Sequence, residues 1–267
     1  MGYNLLKGKK GIIFGALDES SIAWKVAERA HEEGAEVLLT NAPVALRMGK
    51  INQLAETLGT IVVPADATEM ADLNHLFDTA TERFGKIDFI LHSIGMSPNV
   101  RKNKGYTELN YEWYHKTLDI SGISFHRVMQ VAYERDAMNE WGSILALSYI
   151  AAQRTFAKYN DMAEAKALLE SIARSFGYHF GKSKKVRVNT ISQSPTPTTA
   201  GSGVKGFDKM LGFGEKLSPL GNATADECAD YCITLFSDLT RKVTMQNLFH
   251  DGGFSSVGIS EDLLEAL

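Results

Sequence analysis

Tyr159 and Lys166 stand seven residues apart in a stretch with a helical pattern. If both lie on one helix, seven residues is nearly two turns, which places both side chains on one face, roughly 10 Å apart along the axis. A phenol and an ammonium directed at one cleft can stabilise or protonate a developing oxyanion, and such a lysine can also hold ribose hydroxyls. Spacing alone describes a chance surface pair equally well. A competing pair, Tyr178 and Lys182, is four apart at the far end of the same stretch. It falls beside the start of the next strand, at the wrong edge of a sheet, and reads as structural. Upstream of Tyr159, Leu147-Ser148-Tyr149 closes a strand and brings a second tyrosine toward the pair.

Three further motifs sit where strands end. Residues 11–23 read as strand, polar turn and helix. Gly15 allows a backbone to approach a pyrophosphate, and the free N–H groups of the helix start near Ser21 and Ile22 can hold its charge. The second and third glycines of a G-x-G-x-x-G fingerprint are missing, so a plain strand–turn–helix stays open. Asp66, in Ala65-Asp66-Ala67, could accept a hydrogen bond from an adenine amino group or serve as a turn or cap residue. In His92-Ser93-Ile94-Gly95, Gly95 lets the chain pass close to a flat ligand. His92 reads as a polar strand-end residue rather than a base. The run His250-Asp251-Gly252-Gly253-Phe254 reads as a tight turn.

The elements that must position these residues follow from short apolar runs alternating with amphipathic stretches. Strands are expected at residues 11–15, 36–40, 60–65, 87–92, 142–148, 186–192 and 246–250. Helices are expected at 21–33, 44–58, 70–84, 111–139, 161–180 and 224–237. Strands rich in Ile, Leu and Val without alternation are buried on both faces. Seven strands joined by helical crossovers imply one doubly wound, parallel α/β sheet with helices on both faces. No linker, repeat or low-complexity block divides the chain, so residues 1–267 read as one domain. Residues 194–216, rich in Gly, Thr and Ser, are long enough to form a substrate lid.

Composition sets the outer bounds. The chain has 267 residues, 28 basic and 32 acidic, with a formal net charge of −4. That balance offers no electrostatic footprint for nucleic acid or an anionic membrane, and 44% apolar residues exclude a disordered chain. No apolar run approaches the roughly 18 residues of a membrane span. The first residues lead almost directly into a strand, so no signal peptide is expected. Cys228 and Cys232 fall on one helix face without His or further Cys to complete a metal site, and no metal is expected. Low cysteine use suits a reducing cytoplasm.

Taken together, these residues resemble the short-chain dehydrogenase/reductase superfamily. They are most similar to its divergent branch, the NADH-dependent enoyl-[acyl-carrier-protein] reductases of bacterial type II fatty-acid synthesis. The resemblance runs from Leu6 to about Gly258. It rests on Gly15 with Ser21-Ile22-Ala23, on His92 to Gly95, on Leu147 to Tyr149, on Tyr159 with Lys166, and on Asp251 to Phe254. Carbonyl-reducing members place the lysine four residues after the tyrosine; here that position is Ala163.

The resemblance implies a Rossmann-like fold and a role for each matching position. Gly15, Ser21 and Ile22 would line the pyrophosphate, Asp66 and Ala67 would meet the adenine, and Ser93, Ile94 and Gly95 would face the ribose and nicotinamide. Lys166 would hold the nicotinamide ribose, while Ile191, Pro195 and Thr196 would border the nicotinamide. Tyr159 would bond the thioester carbonyl, with Tyr149 facing the same pocket. Met96, Phe207 and Met210 would contact the acyl substrate. The implied reaction is hydride transfer to a trans-2-enoyl thioester carried on acyl-carrier protein, by a cytoplasmic homotetramer.

Two departures from the family pattern stand out. Gln193-Ser194-Pro195 replaces an Ala-Gly-Pro turn beside the nicotinamide. After the second strand, Thr40-Asn41-Ala42-Pro43 holds no acid for a ribose 2′-hydroxyl, and Arg47 is the nearest base, so NADPH stays beside NADH. Lys205 and Lys209 on the lid are candidate contacts for an acidic carrier. The alternatives are a short-chain dehydrogenase acting on a carbonyl or hydroxyl group, and a dinucleotide-binding regulator without turnover.

Overall fold

Ile12, Ile13 and Phe14 are fully buried in succession, which only a strand covered on both faces allows. They belong to β1 (Lys10–Phe14), an interior strand of a seven-stranded sheet in a computed structural model that describes residues 2–202 and 206–265. The other strands are β2 (Glu36–Asn41), β3 (Val62–Pro64), β4 (Ile87–His92), β5 (Met138–Ser148), β6 (Arg187–Gln193) and β7 (Asn247–His250). Their order is β3-β2-β1-β4-β5-β6-β7, and every pairing is parallel. The order reverses between β1 and β4, where Phe14 is level with His92. Ligands of open parallel sheets bind at the strand ends beside such a reversal.

Helices cover both faces. On one, α1 (Ile22–Glu32), α2 (Ile51–Leu58) and α8 (Ala225–Phe236) enclose a core that includes Trp24, Leu54 and Phe236. Cys228 and Cys232 are buried in the same core as free thiols. On the other face lie α3 (Met70–Phe84), α5 (Ser124–Glu134) and α6 (Asp161–Lys184), packed through Phe77, Phe125 and Phe180. The buried side of α3 is Leu73, Leu76, Phe77, Ala80 and Phe84, spaced by three and four. Each such large apolar side chain contributes about 1.5–3 kcal/mol on leaving water. A third, smaller cluster around Tyr149, Ile150 and Phe254 sits above the strand ends, joined by α7 (Phe207–Leu217). Among the described residues no helix is long and apolar enough to cross a membrane.

Four expected elements differ. The helix expected over 44–58 is two pieces, Pro43–Leu46 and α2. The chain breaks at Gly49, where a Cβ would lie 2.5 Å from the Leu17 carbonyl oxygen, and Lys50 N–H bonds that same oxygen at 2.7 Å. The single helix expected over 111–139 is α4 (Tyr111–Leu118), a π-helical turn Asp119–Ile123, and α5. The wide turn lets Gly122 abut α6, where a Cβ would stand 3.1 Å from the Ala165 carbonyl oxygen. After α5, Asp136 takes φ +50° and β5 begins at Met138, four residues before the expected start. The helix carrying Lys166 runs on past Phe180 to Lys184.

Candidate active site

At the reversal between β1 and β4 the chain leaves β1 through Gly15, whose φ is +96°. A Cβ there would lie 2.1 Å from the Ser93 carbonyl oxygen, so only glycine lets the two strand ends close together. Beyond it, the Ser21 hydroxyl accepts from Leu17 N–H at 3.2 Å and donates to Asp18 O at 2.7 Å, which fixes the polar turn. Asn41 braces the turn from β2 by donating to Ala16 O at 3.0 Å. Ile22 then opens α1 against a cleft of about 240 Å³. Ser93, Ile94, Gly95 and Met96 line that cleft from the end of β4. Leu147, Ser148 and Tyr149 line it from β5, and Pro195 and Thr196 from beyond β6. Phe207 and Met210 reach it from α7.

Lys166 and Tyr159 meet in this cleft, but not on one helix. Tyr159 lies in the turn before α6, which begins at Asp161. Lys166 is in the second turn of α6 and is 7% exposed. Its Nζ donates to the Leu147 carbonyl at 2.7 Å. Gly95 stands directly over it: a Cβ at Gly95 would come within 3.8 Å of that nitrogen, so the missing side chain leaves the ammonium open to the cleft. Burial brings the Lys166 ammonium down to about 8, and the Glu170 carboxylate partly opposes the fall. The rings of Tyr149 and Tyr159 are 5.0 Å apart. Burial pushes both phenols well above their ordinary range, and for Tyr149 the neighbouring Tyr159 and Asp251 add to it. The Tyr149 hydroxyl is buried with no hydrogen-bond partner among the described residues. A buried, unpartnered donor aimed at a cleft asks for an acceptor from a ligand.

Five expected residues lie outside the cleft wall. Gly15 and Ser21 build the turn behind it. Asp66 and Ala67 follow β3, on the far side of β2, and Asp66 Oδ1 holds the Thr68 N–H and hydroxyl in a local turn. Ile191 is fully buried in the core beneath. His92, too, is fully buried and brought down to about 3, first by burial and then by the Lys166 charge. The Ser124 hydroxyl donates to Ile120 O at 2.6 Å, so His92 Nε2–H is the donor across the 2.8 Å contact to Ser124. A neutral imidazole of such low basicity does not serve as a base near neutrality.

A family model described as enoyl-(acyl carrier protein) reductase matches residues 15–255. This chain belongs to that family. It is similar to an enoyl-[acyl-carrier-protein] reductase [NADH] of Rhizobium meliloti, 35% identical over 257 residues, 96% of this chain and 93% of the relative. Among solved structures, the FabI–NADH complex from Alistipes finegoldii superposes with a TM-score of 0.95 at 69% identity, covering 97% of this chain and 92% of that one. The NAD complex of the reductase from Anaplasma phagocytophilum gives 0.90 at 32% identity, covering 98% of each chain.

Within this family the Gln193-Ser194-Pro195 departure has a local explanation. Gln193 Oε1 lies 2.7 Å from His250 Nδ1, and its Nε2 donates to Thr196 Oγ1 at 3.1 Å and to Ala223 O at 3.2 Å. The Ser194 hydroxyl accepts from Ala223 N–H at 2.8 Å. The larger side chains are thus tied to β7 and to the segment before α8. Two acidic residues of the site escaped the sequence reading. Asp161, fully buried at the head of α6, accepts from Ser97 Oγ at 2.7 Å and Asn99 Nδ2 at 2.8 Å. Glu170 lies one turn after Lys166. Its i, i+4 spacing from a candidate catalytic lysine was the available signal.

Proposed function

We propose that this chain reduces the trans-2 carbon–carbon double bond of an enoyl thioester borne on acyl-carrier protein, with NADH, in fatty-acid elongation. The observation that carries this reading is the meeting of Lys166, Tyr159 and Tyr149 in a cleft at the sheet's reversal, in a chain of the enoyl-(acyl carrier protein) reductase family. The glycine cradle at Gly15, the ammonium beneath Gly95 and the unpartnered Tyr149 hydroxyl fit a bound dinucleotide beside a substrate carbonyl. The relatives' names and the similar FabI–NADH complex favour NADH over NADPH.

Gly15, Ser21 and Ile22 would hold the pyrophosphate against the start of α1. Asp66 and Ala67 would meet the adenine. Ser93, Ile94 and Gly95 would lie along the ribose and nicotinamide, with Pro195 and Thr196 opposite and Ile191 supporting them from the core. Lys166, charged at neutral pH, would hold the nicotinamide ribose. When bound, NADH supplies the hydride for the substrate's β-carbon. As negative charge builds on the thioester oxygen, Tyr159 donates a hydrogen bond to it. Its raised pKa keeps the phenol protonated for that task. Tyr149 lies within ring contact of Tyr159 and offers a second donor to the same region. Met96, Phe207 and Met210 would pack on the acyl chain beneath a lid at residues 194–216 of one domain, of which 203–205 lie outside the described residues. Lys209 is exposed on α7 as a contact for an acidic carrier; Lys205 lies outside the described residues. A cytoplasmic homotetramer is the assembly we propose, and size-exclusion chromatography with light scattering checks it.

The reaction is tested by following loss of the reduced-nicotinamide absorbance with a trans-2-enoyl thioester, with NADH and NADPH in parallel. Turnover with NADH is expected. Tyr159→Phe is expected to lower kcat by about 10²–10³ while NADH binding is unchanged, because the lost donor acts only as charge develops. Turnover of a 3-ketoacyl thioester and none of the enoyl thioester would overturn the reading in favour of a carbonyl-active dehydrogenase.

A further inference from the structure

Glu170 is a buried carboxylate, 5% exposed, on the face of α6 that carries Lys166. Its two oxygens are engaged with the end of β5 and with the turn that follows it. Oε1 accepts from the Ser148 hydroxyl at 2.7 Å, and Oε2 accepts from Gln153 Nε2 at 3.1 Å. Ser148 immediately precedes Tyr149, and Gln153 closes the 3-10 turn Ile150–Ala152. Together with the bond from Lys166 Nζ to Leu147 O, the helix grips this strand end at three points. Two neutral donors and no direct cation are a poor return for burying a carboxylate, if packing were its whole purpose.

Among the described residues, the groups around Lys166 leave one source of counter-charge. His92, at the end of β4, is buried and neutral. Tyr159 and Tyr149, across the cleft, are protonated phenols. Asp251, beyond Tyr149, is engaged with the Gly253 and Ser255 N–H groups. Asp161 is five residues back and turned to Ser97 and Asn99, and Glu164 accepts from the Tyr106 hydroxyl at 2.6 Å. On the packed π-helical turn, Asp119 pairs with Arg127. Glu170 remains.

We propose that Glu170 is a positioning residue for the reaction: its carboxylate clamps the strand end bearing Tyr149 to the helix bearing Lys166 and supplies the counter-charge for that ammonium. The proposal rests on the role given above to Lys166. Burial works against the ammonium and Glu170 works for it, so the two together leave Lys166 charged at neutral pH. Deleting the negative charge lets burial act alone, and the lysine then loses its proton at lower pH.

The test is the pH dependence of NADH binding, followed by fluorescence titration, and of kcat/KM for the enoyl thioester. The native protein is expected to lose both on an alkaline limb near 8, where Lys166 loses its proton. Lys166→Met is expected to abolish that limb in NADH binding; a limb that survives would sink the role of Lys166 itself. Glu170→Gln keeps an acceptor for Ser148 and is expected to move the limb down by about one pH unit. Its NADH affinity is expected to match the native protein at pH 6, where Lys166 is charged in both, and to fall several-fold short at pH 8. Ser148→Ala keeps the charge and is expected to keep the native limb. A Glu170→Gln protein with the native limb, or one equally weakened at pH 6 and 8, would overturn the proposal while leaving Lys166 in place.

Discussion

Replacing Asp161 by alanine tests whether the head of α6 is held by its buried carboxylate. The substitution strands two donors in a site with no solvent exposure: the Ser97 hydroxyl, now 2.7 Å from Oδ1, and an Asn99 N–H, now 2.8 Å from Oδ2. The Thr117 hydroxyl, also 2.8 Å from Oδ2, retains the Trp113 carbonyl at the same distance and loses less. An unmet buried donor costs about 1–3 kcal/mol, so the two cost roughly 2–6 kcal/mol before relaxation. Relief of the buried carboxylate offsets part of this, and a net loss of about 3 kcal/mol is expected. For a domain of this size that lowers Tm by roughly 6–12 °C. Asp161→Asn keeps the volume but turns one N–H₂ toward existing donors, so it should fall between alanine and native. Ser97 and Val100 line the cleft on the Met96 side, and loosening them should raise KM for the enoyl thioester several-fold with little change in NADH affinity. Thermal melts followed by steady-state kinetics read both effects. An alanine variant that melts with the native protein, or an asparagine variant less stable than the alanine one, would refute the reasoning.

Gly15→Ala is expected to weaken NADH binding about tenfold or more, because a left-handed φ of +96° costs an L-residue about 1–2 kcal/mol and the new Cβ meets the Ser93 carbonyl oxygen at 2.1 Å. Undiminished affinity in a fluorescence titration would show that the β1–β4 closure does not shape the cofactor site. For His92 the folded pKa, about 3, lies below the ordinary 6.5, so the unfolded chain binds more protons between those values. Stability therefore rises with pH across that window and is lost on acidification, by about 2 kcal/mol between pH 6.5 and 5. His92→Gln, which can still bond Ser124, is expected to flatten that part of the urea-denaturation profile; the same slope in native and variant would exclude His92 as its source.

The parallel sheet was legible because strands buried on both faces show unbroken Ile, Leu and Val runs, and six of the seven strands begin within two residues of the expected positions. What the pattern could not show were breaks made by tertiary contact. Gly49 interrupts a helical run because Leu17 from another turn occupies the space a side chain needs. The π-helical turn at Gly122 preserves the apolar period on either side, so a continuous helix and a bulged one read alike. At the site, Tyr149, Tyr159 and Lys166 were visible as residue types at a telling spacing. Asp161 and Glu170 were not, because an acidic residue on an amphipathic helix normally faces water. Only the arrival of Ser97, Asn99, Ser148 and Gln153 from elsewhere in the chain makes these two buried acceptors.

The seven-residue spacing has a physical consequence beyond its value as a motif. Tyr159 is flanked by Lys158 at φ +71° and Asn160 at φ +46°, two non-glycine residues in a region that costs roughly 1–3 kcal/mol each. The surroundings oppose that strain. Asn160 donates to Lys104 O at 2.7 Å, Asp161 anchors the helix head, and the Tyr159 ring packs against Tyr149. The strained turn hangs Tyr159 off the front of α6 instead of mounting it on the helix one turn from Lys166. A carbonyl reductase needs its phenol beside the carbon that receives hydride, because the oxygen that becomes negative is bonded to that carbon. In conjugate reduction the hydride goes to the β-carbon and the charge appears on the thioester oxygen, two carbons further along. If Tyr159 and Lys166 have the roles proposed above, the donor must stand farther from the lysine, and the turn before α6 supplies that displacement. Ala163, at the position where a four-residue spacing would place the lysine, packs against the Tyr149 cluster.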